Sequence, residues 1–74
     1  MLLHRLEEEL EDACEYAKLS EDADERDESI ALGLWLIGRD EATHARYLVH
    51  HIVGEIPQDV MEKWEKVKDY YHLK

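Results

Sequence analysis

The sequence predicts an all-α fold: an antiparallel two-helix hairpin plus a short C-terminal helix, dimerising into a four-helix bundle. Three observations carry this. Apolar residues step by three and four along two long segments, which is the period of a helix. A wholly polar run separates those segments, where a hairpin would turn. No stretch alternates apolar with polar residues over the length of a strand.

Helix one is expected over about 2–23, on the stripe Leu3, Leu6, Leu10, Ala13 and Ala17. The run SEDADERDES (20–29) then contains the turn, placed near Asp24–Arg26, with Ser20, Asp24 and Asp27 as available N-caps. Helix two is expected over about 27–53, on the stripe Ile30, Leu34, Ile37, Glu41, His44, Leu48 and Ile52. Gly33 and Gly38 each cost about 1 kcal/mol relative to Ala inside a helix. The stripe keeps its phase across Gly38, which favours one continuous helix. Gly54 supplies a C-terminal stop, and Pro57 starts helix three, over about 57–72. Val60, Met61, Trp64, Val67 and Tyr71 share one face of that helix, a packing surface.

The 74 residues form one domain, 1–74, of a size usually reinforced by disulfides, a metal or partner chains. Cys14 is the single cysteine, so no disulfide can form within the chain. The net charge of −10 excludes the basic patch that nucleic acid or an anionic membrane would need. It favours cations as ligands. The longest apolar run, IALGLWLIG (30–38), falls far short of the roughly 20 residues that span a bilayer. The opening MLLHRLEEEL lacks an apolar leader, so a cytoplasmic location is expected.

The spacing Glu-x-x-His at Glu41 and His44 proves little by itself in a chain with five His and so many Glu. Its position is informative. At 100° per residue, Glu41 points along the apolar stripe of helix two and His44 lies about 50° to one side. Within the acidic run of helix one, Glu9 alone falls inside the stripe, and Tyr16 faces the same way. An ionised carboxylate on a buried face costs several kcal/mol unless a cation, a proton or hydrogen bonds meet it. Carboxylate oxygen with imidazole nitrogen suits Fe, Mn or Zn. One Glu plus Glu-x-x-His is half of a four-helix di-iron inventory, which a second chain related by a two-fold axis would complete. Four carboxylates would then balance two divalent cations, linking metal binding to dimerisation.

On EELEDACEYA (8–17) and DEATHARYL (40–48), the chain resembles the ferritin-like superfamily, in particular its short two-helix, encapsulated-ferritin-type members, with rubrerythrin more distant. The resemblance aligns Glu9, Glu41 and His44 with the family's metal ligands and Tyr16 with a phenol that supports them. It implies two Fe per homodimer, ferroxidase chemistry with O₂ or peroxide, and iron storage or detoxification. It also implies outer cation sites at Glu8 and Glu11. It brings in an encapsulin shell as partner, although the sequence ends at YYHLK without the tag that directs such proteins into one. An aromatic third helix leaves room for a higher homo-oligomer.

Two other readings stay open. One is a rubrerythrin-like peroxide-reducing di-metal protein. The other is a helical oligomerisation or adaptor module without metal, which explains the amphipathic pattern but not why Glu9, Glu41 and His44 point inward. His50 and His51 are expected at a solvated helix end, and Cys14 as a packing residue. Trp35 and Trp64 are expected at helix or subunit interfaces, and Tyr70, Tyr71 and His72 partly exposed.

Overall fold

The computed structural model describes residues 2–24 and 26–73. They form three helices and no strand: α1 (Leu2–Asp24), α2 (Glu28–His51) and α3 (Gln58–Tyr70). Every helix end falls within two residues of expectation.

Of the turn expected at Asp24–Arg26, Glu25 lies outside the described residues. Around it, the N–H groups of Arg26 and Asp27 both return to the Ala23 carbonyl, at 2.9 and 2.8 Å, and close α1. Asp27 is the cap of α2. Its Oδ1 accepts the N–H of Ser29 at 2.9 Å and of Ile30 at 3.4 Å, meeting donors that the first helical turn leaves unpaired. The Ser29 hydroxyl adds a third bond at 2.7 Å and holds the Asp27 carboxyl below its ordinary pKa. Ser20 does not cap. It lies inside α1, buried, and its hydroxyl donates to the Ala31 carbonyl at 2.8 Å, tying the two helices just inside the turn.

From there α1 and α2 lie side by side, and Glu9 meets Glu41 and His44 farther along. The face of α2 against α1 is not the one its large apolar residues mark. Its buried residues are Ala31, Gly38, Ala42, Ala45 and Leu48, mostly small. Ile30 and Ile37, expected inside, are 55% and 45% exposed. Small side chains let the helix axes approach, and the packing gained outweighs the larger area that Ile would bury. Within one chain the stripe is therefore split, half against α1 and half open.

Tyr71 corrects a further expectation. It is 1% exposed, not partly exposed, and its hydroxyl donates to the Ala13 carbonyl at 2.7 Å. Its ring rests on Gly38, where a Cβ would overlap the Tyr71 hydroxyl and crowd the Tyr16 Cβ. This close approach explains a glycine in mid-helix. Trp35 packs on the same ring, with centroids 5.6 Å apart. Val60, Trp64 and Val67 bury the rest of α3 against Leu6, Leu10 and Ala13.

Two loops direct α3 back onto the pair. α2 ends at His51, before the expected Gly54 stop, because Ile52 is already extended (ψ 126°). Gly54 turns the chain at φ 106°, a conformation few other residues adopt, and Pro57 precedes the first turn of α3. At the far end His72 is left-handed (φ 57°). The Leu73 N–H reaches the Lys68 carbonyl at 2.9 Å and the His72 N–H reaches Asp69 at 3.2 Å. This Schellman arrangement folds Leu73 into the core.

The two mid-helix glycines should therefore respond oppositely to alanine. Gly38→Ala forces a methyl into Tyr71 and is expected to lower stability by about 1–3 kcal/mol, the usual cost of overpacking. At Gly33 a Cβ meets nothing within 4 Å. Gly33→Ala should raise stability by up to about 1 kcal/mol through helix propensity. Urea unfolding of the two variants beside the wild type checks both signs.

Candidate metal centre

Glu9 sits on α1 between Leu6 and Leu10 on one side and Ala13 on the other, all fully buried, and is itself 6% exposed. Helical spacing forces this. A residue three after Leu6 and four before Ala13 lies on the same face as both. The antiparallel run of α2 brings Glu41 and His44 opposite, one turn apart. One ligand atom from each of Glu9, Glu41 and His44 lies within 4.8 Å of the others, and no other such group of His, Cys, Asp or Glu occurs among the described residues. Donors around one divalent ion at about 2.0–2.2 Å stand at most about 4.4 Å apart, so a small side-chain adjustment closes the set. His44, with its side chain 61% exposed, is free to make it.

The two oxygens of Glu9 have different surroundings. Oε1 takes the Nε of Arg5 at 3.2 Å. Oε2 is buried, 3.5 Å from His44 Nδ1, and has no hydrogen-bond partner when both glutamates are ionised. A buried orphan oxygen of this kind calls for a proton or a cation. In the metal-free chain a proton on Glu41 meets the need. The hydrogen bond to Glu9, partial burial and the Glu9 charge push Glu41 up to about 7. Burial pushes Glu9 up as well, but the Glu41 hydrogen bond, the His44 ring and the Arg5 guanidinium outweigh it, and Glu9 falls below its usual range. Two carboxyls this close ionise one at a time.

Comparison with protein-family models, with curated proteins and with solved structures gives no match.

The cluster is not enclosed. It opens onto a hollow lined by Arg5, Glu9, Thr43, His44, Tyr47 and Leu48, none of them from α3. Relative to the sequence expectation, Glu41 and His44 stand at the border between the buried and open faces of α2, not in the middle of a buried face. Tyr16 is half-buried beside Gly38, and no hydrogen bond joins it to Glu9 or Glu41 among the described residues. Glu8 is exposed and pairs with His4 Nε2 at 3.3 Å. Glu11 is exposed too, in a groove with Glu7 and Asp59 on the α3 side, so the centre does not include it. His51 stacks on Tyr47 at 4.0 Å and bonds its carbonyl at 2.8 Å, away from the three donors. Cys14 is half-buried and packs against the core. Arg5 was missed by the stripe argument, which reads apolar positions; the i, i+4 spacing to Glu9 was its available signal.

The shared proton has a sign that can be measured. Unfolded, Glu41 titrates near the ordinary 4.5; folded, it is pushed up to about 7. The native metal-free state binds more protons across that window, so the Glu41 contribution to stability is full below pH 4.5 and is lost as pH rises through 7. The drop should be on the order of 2 kcal/mol after discounting the open side. Glu9 titrates below 4.5 and contributes outside the window. Glu41→Gln keeps an N–H donor and cannot ionise, so its stability should be nearly flat. Urea midpoints at two pH values in chelator, wild type against variant, decide this; parallel slopes would refute it.

Proposed function

We propose that this chain is an iron-binding protein of ferritin-like type whose di-metal site is completed by a second copy of itself, and that it oxidises Fe(II). One observation carries the reading. A buried glutamate oxygen without a hydrogen-bond partner faces a second glutamate and a histidine, on a side of the helix pair that α3 leaves open.

The open side also fits a partner chain. Ile30 and Ile37 are exposed and fall within an arc of about 60° with Glu41 and His44 on α2. A second copy laid on this face by a two-fold axis would cover them and bring two more carboxylates and one more imidazole. That set is the donor inventory of di-iron carboxylate bundles. Its four negative charges match two divalent cations, so loading would turn a self-repelling cluster neutral. In a chain of net charge −10, this favours association that metal-free copies resist.

Within this scheme each residue has a defined task. Glu9 and Glu41 supply oxygens, and Glu41 gives up the shared proton as the cation arrives. His44 would supply nitrogen from the exposed edge. Ile37, one turn before Glu41, would help keep bulk water from the site once a second copy covers it. Bound Fe(II) is the substrate and supplies the electrons that reduce O₂ or peroxide. The metal-free module has one observation in its favour, since a Glu41 proton together with Arg5 and His44 can meet the Glu9 charge without a metal.

Anaerobic Fe(II) titration with sedimentation analysis separates these. About one iron per chain and a shift from monomer to dimer are expected, with both lost in Glu41→Ala. A wild type that stays a metal-free monomer at micromolar concentration with Fe(II) present would overturn the reading. Rapid mixing of the loaded protein with O₂ or with peroxide then distinguishes an oxidase from a peroxide reductase.

A further inference from the structure

We propose that Arg5 is the resident cation of the metal-free centre, which an incoming divalent metal must displace from Glu9. This rests on the metal reading above. Arg5 lies one turn before Glu9 on α1, and its Nε stands 3.2 Å from Glu9 Oε1. Its side chain is 66% exposed, whereas that of Glu9 is 8% exposed. The guanidinium is thus held at one point and can withdraw into water. Arg5 also lines the hollow through which the centre opens. It stands on the way in and on one of the ligand oxygens.

The chemistry follows from the residue type. A guanidinium stays charged at every relevant pH and has no lone pair for a metal, so it can compete for Glu9 but not join the ligands. Without metal it offsets part of the charge that Glu9 brings into an apolar face, while Oε2 stays directed at His44. With metal, two cations would crowd one carboxylate, and the exposed one leaves. Arg5 therefore stabilises the empty centre and weakens metal binding, effects of opposite sign. A merely structural arginine would give losses in both when removed.

Titration calorimetry of the full chain with Co(II) reads the first effect. Arg5→Gln should bind Co(II) about fivefold tighter, the upper range for an ion pair with one exposed partner. Its chelator-treated form should unfold at lower urea than wild type. Arg5→Lys should restore both properties towards wild type, and Lys66→Gln, which removes a distant cation of α3, should change Co(II) affinity far less at physiological salt. A second measurement needs no variant: in the wild type, the Arg5 Nε–H resonance should lose its ion-paired position as Zn(II) is added. Equal or weaker Co(II) binding by Arg5→Gln, or an Arg5 resonance unmoved by bound Zn(II), would overturn the role of Arg5 and leave the centre standing. No Co(II) binding by wild type or variant would overturn both.

Discussion

The structure depends on how closely α1 and α2 approach. Ala31, Gly38, Ala42 and Ala45 are the small buried residues of α2. At Gly38 there is no room for a Cβ, because the Tyr71 ring lies on it and the phenol reaches across to the Ala13 carbonyl. Through that one residue the end of α3 meets both long helices. The same approach brings Glu9 within reach of Glu41 and His44. A wider spacing, such as large side chains at these positions would impose, would leave three separated polar residues.

Placing a carboxylate in this interface has a cost that shapes everything around it. Glu9 is almost fully buried among Leu6, Leu10 and Ala13. The chain meets it with three different compensations: the Arg5 guanidinium on one oxygen, the nearby His44 ring, and a proton held by Glu41. Each is reversible. A proton can leave as pH rises, an exposed arginine can swing out, and an exposed imidazole can turn. Such a set can be dispersed, as the proposed metal binding requires, which a purely apolar contact at this point could not be. A hydrophobic interface would make the helix pair more stable and chemically inert.

Much of this was legible in the sequence for simple reasons. The three helices follow from period and punctuation, with Asp27, Gly54 and Pro57 all acting near the positions their chemistry suggests. Glu9 was legible because one acid among many occupied an apolar register. Less legible was which side of α2 faces α1. That helix is apolar over most of its N-terminal half, so its periodicity marked a stripe without saying what covers it. The large residues Ile30 and Ile37 pointed to the open side and the small ones to the partner helix. Hydrophobicity weights size, whereas packing two helices rewards smallness. Tyr71 was legible only in part: it falls on the packing face of helix three, but its full burial comes from a fold-back of α3 onto a glycine 33 residues earlier.

The sequence by itself determined the helices, their order and which three side chains could act together. Those properties are local, set by the 100° step of the helix and by capping chemistry within a few residues. The tertiary structure alone decided that Glu9 splits its oxygens between Arg5 and the centre, that Glu41 carries the shared proton, and that His44 stands at an open edge. These depend on distances across two helices, and a distance between chain segments far apart in sequence is fixed only when packing fixes it.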